Sequence, residues 1–259
     1  MKFIPFPPDI IRKYRFLALT ASIVVLAVVT LHLSVPRVLF DAPLATVVTD
    51  RNGELVGARI ASDGQWRFPA ADSVGRKFAT CIIAAEDRRF RLHFGIDPIA
   101  AVRALDRNLR SGRVVEGGST ITMQVARMAR GNHRRTIGQK IIEALWAFDI
   151  ELSHSKREIL ELYAANAPFG GNVVGLEAAA WRYFGRDAGH LSWAENATLA
   201  VLPNAPALIH LGRNRTALKA KRDALLARLR DEGSISATEF SLAVSEPLPE
   251  APLPIPNRA

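Results

Sequence analysis

Residues 86–95 read Glu-Asp-Arg-Arg-Phe-Arg-Leu-His-Phe-Gly, and no other stretch of the chain is as informative. An apolar run ends at Ala85, so Glu86 is a carboxylate carried at the tip of a hydrophobic helix. Apolar surroundings raise the pKa of a carboxylate toward the range useful for a general base. An acid at a helix end also suits a local ion pair with Arg88 or Arg89, and spacing alone favours that ordinary role.

Two further blocks follow within sixty residues. Residues 117–124 read Gly-Gly-Ser-Thr-Ile-Thr-Met-Gln and predict a glycine turn that enters a helix. Amides and hydroxyls at a helix start suit a phosphate or a sugar, although this block taken alone favours an ordinary Ser/Thr N-cap. Lys140 and Glu143 are three residues apart and therefore share a helix face, as a surface ion pair or as part of a site.

Composition limits the choice of partner. The chain has 259 residues, enough for one sizeable core, and a formal charge of +9. That charge indicates an anionic partner such as nucleic acid, a phosphate-bearing substrate or acidic lipid. The single cysteine, Cys81, lies in an apolar run and is expected to be a small buried hydrophobe.

One apolar run, residues 16–35, has the length of a membrane span. It contains no formally charged residue, and as a helix it would rise about 30 Å, the thickness of a bilayer core. Basic residues precede it, so the positive-inside rule predicts a cytoplasmic N-terminus. A cleaved signal peptide is the alternative, but the run is long for one and no small-x-small cleavage site follows it.

The pattern along the chain predicts five segments. Residues 1–15 form a cytoplasmic tail, 16–35 the transmembrane helix, and 36–70 a linker with a β-hairpin around the turn Asn52-Gly53. Residues 71–246 form a helical domain with capping boxes that begin at Ser155, Ser192 and Ser236. Residues 247–259 hold five prolines and are expected to form an extended linker or free tail.

The block at 86–95 resembles the pattern Glu-Asp-x-x-Phe-x-x-His-x-Gly of glycosyltransferase family 51, the peptidoglycan glycosyltransferases. Every fixed position of that pattern is present, and the resemblance spans roughly residues 44–232. It implies a mainly α, lysozyme-like fold, with the small β-hairpin near the membrane and one N-terminal transmembrane helix.

Some positions depart from the family motifs. Met123 stands where the family has the first glutamine of Gly-Gly-Ser-Thr-Ile-Thr-Gln-Gln. Together with Ala-Pro-Phe-Gly-Gly at 167–171, it resembles the branch of class A penicillin-binding proteins called type 1C, here without a transpeptidase domain. Gln139 replaces an arginine and so removes one cation, and Ala164-Ala165 replaces Leu-Asn in a block that is mainly structural.

The resemblance implies roles for individual residues. Glu86 is the catalytic base, and Glu143 is the second acidic residue of the site. Lys140 meets a lipid diphosphate, and Arg135 and Arg103 face the lipid-linked substrate. The other motif positions are expected to bind substrate: Asp87, Phe90, His93, Ser119, Thr120, Thr122 and Gln124.

The implied function is the polymerisation of lipid II into β-1,4 glycan strands at the bacterial inner membrane. The catalytic domain would be periplasmic, with lipid II, the nascent glycan strand, the bilayer and wall-synthesis proteins as partners and no nucleic acid. No cofactor is required, although a loosely held Mg or Mn ion would suit the substrate diphosphate. A lysozyme-like hydrolase of the same polymer and a non-catalytic scaffold remain the two alternatives.

Overall fold

The computed structural model describes residues 8–113, 117–134, 136–203 and 214–255. The chain divides into two compact units, Met1–Leu39 and Phe40–Ala259. The first unit contains helix α1, Pro8–Ser34. Its described side chains include a set of exposed large hydrophobics: Leu17, Leu19, Ile23, Val25, Leu26, Val28, Val29 and Leu33.

The search for a membrane span gives a different result from the sequence prediction at 16–35. Among the residues that the structure describes, none of the helices combines the length and the apolar character that crossing a bilayer requires. The predicted helix is therefore confirmed, and its transmembrane character is not.

The second unit begins with the expected hairpin. Strands β1, Thr46–Thr49, and β2, Leu55–Arg59, pair antiparallel, and the turn between them contains Gly53 at a φ of +86°. Strand β3, Trp66–Arg67, belongs to a second small sheet with β4, Pro168–Gly170, and β5, Val173–Val174. The order β3-β5-β4 attaches this early segment to the helical part of the unit.

The rest of the unit is helical, which confirms the mainly α prediction. The helices are α2 Arg76–Glu86, α3 Pro98–Ser111, α4 Ile121–Ala129, α5 Ile137–Ser153, α6 Lys156–Asn166, α7 Leu176–Phe184, α8 Trp193–Val201, α9 Arg215–Asp231 and α10 Ala237–Ser245, with a short 3-10 helix at Ala188–His190. Capping boxes at Ser155, Ser192 and Ser236 begin α6, α8 and α10 as predicted. Each satisfies N–H groups that a helix start would otherwise leave unpaired.

The core is built around α8, which is buried along almost its whole length. Helix α2 packs against α8 and α9, and α4 packs against α5 and α6. Cys81 on α2 is fully buried, and burial raises the pKa of its thiol, which confirms that it is a buried hydrophobe. Helix α2 thus runs through the core and ends at Glu86.

Two apolar stripes that the sequence contains do not face this core. An apolar stripe on a helix normally packs inward. Here the stripes of α3 and α5 are largely exposed: Ile99, Val102, Leu105 and Leu109 on α3, and Ile137, Ile141, Ile142, Leu145, Phe148 and Leu152 on α5. Only Ala104 of α3 is buried among its described residues. The two helices therefore present an apolar surface to their surroundings.

The proline-rich segment differs from the free tail that its composition predicts. It contains no helix or strand over 247–255, but arginines hold its backbone; residues 256–259 lie outside the described part. Proline lacks an N–H yet keeps its carbonyl oxygen, so such a segment can be bound by donors from neighbouring helices. Arg215 donates to the carbonyl oxygens of Leu248 (3.0 Å) and Glu250 (3.1 Å), and Leu253 N–H donates to Arg182 O at 2.7 Å.

Arg222 anchors the start of this segment from inside the protein. Its side chain is fully buried and donates to the carbonyl oxygens of Glu246 (2.7 Å) and Val244 (3.3 Å). It also lies 2.9 Å from a carboxylate oxygen of Asp223. The segment is therefore part of the folded unit.

Arg222→Met should lower the free energy of unfolding by about 2–4 kcal/mol, because two carbonyl oxygens lose their donor at a buried position. Lys221→Met, at the exposed neighbouring position on the same helix, should change it by less than about 0.5 kcal/mol. Urea denaturation followed by circular dichroism measures both values. Equal effects of the two substitutions would contradict the anchoring role.

Candidate active site around Glu86

Glu86 is the last residue of α2, and its side chain is half-buried. The Nε2 group of Gln124, on α4, donates a hydrogen bond to Glu86 Oε2 at 2.9 Å. Arg228 of α9 donates to Ala84 O at 2.8 Å, which places a cation at the C-terminal end of α2. The carboxylate is therefore oriented by a neutral amide, at the end of a helix that Arg228 of α9 holds.

Asp87 joins the first two sequence blocks. Its buried carboxylate accepts the backbone N–H of Ile121, the first residue of α4, at 3.0 Å. It also lies 2.9 and 3.0 Å from His93 Nε2. A negative charge at a helix N-terminus is favourable, because it faces the positive end of the helix dipole. Asp87 thereby ties the segment after Glu86 to the helix that carries Gln124.

The far end of the same segment is held by Thr120. Its hydroxyl donates to Gly95 O at 2.6 Å and accepts the N–H of Met123 at 3.1 Å as the N-cap of α4. Gly95 has a φ of +77°, and a Cβ there would lie 2.8 Å from backbone atoms of Ala147. Only glycine fits this position, so α5 approaches the segment at backbone distance.

A network of polar side chains on α5 and α6 supports the segment 87–95. Lys156 Nζ donates to His93 O at 2.8 Å and to Glu151 Oε1 at 2.6 Å, and it lies 4.4 Å from the centre of the Phe90 ring. Glu151 also accepts the Thr122 hydroxyl at 2.7 Å. The lysine thus links α6 to α4 and to residues 90–93. The sequence places Lys156 in the capping box at Ser155 and in the block expected to be mainly structural, and it does not single out Glu151.

A second ion pair fixes the start of α3. Arg89 Nε donates to Asp97 Oδ2 at 2.9 Å, and Asp97 accepts the N–H of Ala100 as N-cap. Burial acts to raise the pKa of Asp97, but the hydrogen bonds from Arg89 and Ala100 outweigh it and lower that pKa. Arg89 is therefore committed to α3, while Arg88 lies 3.9 Å from Glu232.

The third block lies on α5, which begins after the N-cap Thr136. Lys140 is exposed on the first turn and Glu143 is buried, although the two are three residues apart. Glu86 accepts a hydrogen bond from α4 and Glu143 lies on α5, which packs against α4, so both predicted catalytic acids are on elements that contact α4. Arg135 lies outside the described residues.

The remaining predicted binding residues fall into two groups. Five of them make contacts inside the protein that hold the segment 87–95 and α4 together: Asp87, Phe90, His93, Thr120 and Thr122. Ser119 and Gln124 are half-buried, and Arg103 is exposed on α3. Direct contact with a substrate remains a prediction for all of them.

Two residues near Glu86 escaped the sequence analysis as site residues. Arg127 is half-buried on α4, three residues after Gln124 and therefore on the same helix face. Tyr163, on α6, is buried, and both Glu86 and Arg127 act on it electrostatically. The sequence signal that could have identified Arg127 is its spacing of three residues from Gln124.

No metal site is evident in the parts of the chain that the structure describes. Within them, no group of three or more His, Cys, Asp or Glu side chains is placed to hold an ion.

Comparison with known proteins adds the family. A family model described as Transglycosylase matches residues 52–230, more than half of the chain. Penicillin-binding protein 1C of Escherichia coli (strain K12) is 39% identical over 225 residues, which cover 86% of this chain and 29% of that protein. Penicillin-binding protein 1A of Aquifex aeolicus (strain VF5) is 40% identical over 206 residues, covering 80% and 28%.

The chain spans less than a third of the length of these curated relatives. Among solved structures, the crystal structure of penicillin-binding protein 1A from Haemophilus influenzae aligns with a TM-score of 0.46 at 21% identity. That alignment covers 85% of this chain and 23% of the other, and it is too weak to bear on the fold.

Gly95→Ala and Gly64→Ala form a matched pair that tests the close approach of α5. Their φ angles are +77° and +75°, but a Cβ at Gly64 would have nothing within 4 Å. Gly64→Ala should lower the free energy of unfolding by about 1–2 kcal/mol through backbone strain alone. Gly95→Ala should cost about 1–3 kcal/mol more, because the methyl group overlaps Ala147. Equal losses in urea denaturation would show that the contact is not tight.

Proposed function

The chain belongs to the transglycosylase family, and on that premise we propose that it is a peptidoglycan glycosyltransferase that polymerises lipid II into β-1,4 glycan strands. The observation that carries the proposal is the hydrogen bond from Gln124 to Glu86. It orients a half-buried carboxylate where two of the family's motifs meet. Glycosyl transfer needs such a carboxylate to take the proton of the attacking hydroxyl.

In the proposed reaction, the acceptor sugar's 4-hydroxyl loses its proton to Glu86 as its oxygen bonds to the anomeric carbon of the donor. The bond from that carbon to the diphosphate oxygen breaks, and undecaprenyl diphosphate leaves with the electron pair. The product is β-1,4-linked and forms with inversion. Gln124 is a suitable partner for a general base, because its neutral amide orients the Glu86 carboxylate without neutralising the charge.

The leaving side of the reaction needs positive charge rather than a strong acid. Lys140 provides it on the first turn of α5, near the positive end of that helix. Arg135 precedes it in the sequence. Where the family usually has an arginine, Gln139 accepts a hydrogen bond from Arg130 Nη1 at 2.8 Å, so a guanidinium lies next to this position.

Glu143 completes the proposed site from the buried side of α5. We assign it the assisting role of positioning the diphosphate, alone or through a loosely held Mg or Mn ion. A carboxylate suits such an ion, because both metals prefer oxygen ligands. Its position on a rigid helix beside α4 supports this assignment.

Attachment to the bacterial inner membrane is part of the proposal. Helix α3 is amphipathic in sequence, with exposed Val102 and Leu109 and with arginines at 103, 107 and 110. Exposed apolar side chains next to arginines suit the interface of an anionic bilayer. The exposed apolar side chains of α1 support a further attachment through the first unit. Sharing one surface with a lipid substrate raises the effective concentration of both.

Glu86→Gln should lower the initial rate of glycan polymerisation from purified lipid II by about 100- to 10,000-fold, because the proton acceptor is lost. Glu54→Gln, at an exposed position after the β1–β2 turn, is the control and should polymerise at the parent rate. Polymer formation by Glu86→Gln at an undiminished rate would refute the assignment. Digestion of purified cell wall by the parent protein would favour a hydrolase instead.

The membrane contact can be mapped with a fluorescent probe, because the single natural cysteine, Cys81, is fully buried. Leu109→Cys and Leu242→Cys introduce labelling sites at positions that are 74% and 65% exposed, on α3 and α10. With an environment-sensitive dye, emission from position 109 should shift to the blue on vesicles that contain anionic lipid. Emission from position 242 should stay unchanged. No shift at position 109, or an equal shift at position 242, would contradict a membrane contact specific to α3.

A further inference from the structure

The hydroxyl of Tyr163 is one of the buried side-chain polar groups in the described part of the chain that have no hydrogen-bond partner. The residue is 1% exposed, and its oxygen has no hydrogen-bond partner among the described residues. Buried hydroxyls are nearly always paired, so an orphan needs an explanation. Tyr183 shows the ordinary case, since its buried hydroxyl donates to Phe169 O at 2.8 Å.

The surroundings of Tyr163 connect it to the proposed base. Helix α6, which carries it, packs against α4, the helix that carries Gln124 and Arg127. Gln124 reaches Glu86 at 2.9 Å. The charged side chains that act on the phenol are Glu86, from the end of α2, and Arg127, from α4. The other helices packed against α6, α5 and α7, contribute no such charge within the described residues.

The phenol remains neutral in this place. Burial raises the pKa of Tyr163 well above its ordinary value, the negative charge of Glu86 raises it further, and Arg127 lowers it in part. Tyr163 is therefore a neutral group that can donate one hydrogen bond and accept another, and it takes up no proton itself.

We propose that Tyr163 is a positioning residue for Glu86, whose carboxyl its hydroxyl contacts during the reaction. In the resting structure Gln124 holds the carboxylate. When Glu86 turns toward the acceptor, the phenol donates to the carboxylate and then accepts from the protonated acid. Bonds to substrate form and break as described above, and Tyr163 is unchanged at the end. The inference rests on the proposed function of Glu86.

Retaining this hydroxyl is not favourable for folding. Phenylalanine would fill the same space without a buried, unpaired oxygen, so the folded protein gains nothing from the tyrosine. A group that stability alone would remove is expected to serve activity. Removing the hydroxyl therefore distinguishes the two roles. If the hydroxyl serves activity, its removal lowers the rate and leaves stability unchanged or higher. If it serves the fold, its removal lowers stability and leaves the rate unchanged.

Tyr163→Phe should therefore melt at the parent temperature or above it, and its kcat with lipid II should fall by about tenfold with KM unchanged. The acidic limb of its pH–rate profile should move up by about one pH unit. The acidic limb moves to higher pH because a hydrogen bond donated by the phenol favours the charged carboxylate, so its loss raises the apparent pKa of the base. The matched control Tyr183→Phe should melt lower and keep both kcat and the acidic limb.

Three results would overturn the inference: an unchanged kcat in Tyr163→Phe, an unmoved acidic limb, or a lower melting temperature with both kinetic measures intact. Glu86→Gln, assayed in parallel, separates this failure from a failure of the proposed function. If Glu86→Gln polymerises at the parent rate, the assignment of Glu86 falls and takes the role of Tyr163 with it. If Glu86→Gln is inactive and Tyr163→Phe behaves as the parent, only the role of Tyr163 is wrong.

Discussion

The site depends on one buried carboxylate, that of Asp87. It accepts the N–H of Ile121 and contacts His93 Nε2, and so it fixes the end of α2 against the start of α4. Neither helix alone determines where Glu86 points, because Glu86 is the last residue of α2 and its partner Gln124 is on α4. A buried carboxylate is tolerated when its oxygens have hydrogen-bonding partners, and here the backbone N–H of Ile121 and the ring of His93 lie within 3.0 Å of them.

The polar groups of the site are of two kinds, those paired inside the protein and those that remain accessible. Some polar groups contact one another inside the protein, such as Glu151 and Lys156, and they hold the segment 87–95 in place. Others remain accessible, such as Lys140, for which we propose contact with the substrate diphosphate. Apolar residues of this unit pack around α8, while the apolar side chains of α3 and α5 lie exposed outside the core. That exposed surface supports the proposed lipid substrate.

Local signals predicted the elements well. The capping boxes at Ser155, Ser192 and Ser236 define helix starts through interactions within a few residues, and the structure has a helix at each of them. Such local signals do not predict which elements pack against each other. A stripe such as that of α5 has the same pattern whether it faces a core or a membrane, and prolines 247–254 give no sign that arginines on α7 and α9 bind their segment. Tyr163 was missed because its orphan hydroxyl is defined only by what surrounds it.

The most direct test of this account is the rate of lipid II polymerisation by Asp87→Ala at a temperature where circular dichroism shows the variant folded. Removing the carboxylate frees the segment after Glu86 from α4 while leaving Glu86, Gln124 and Lys140 in the chain. Because small displacements of a catalytic group are costly, the rate should fall by about 100-fold. A folded variant that polymerises at the parent rate would contradict the claim that Asp87 positions Glu86.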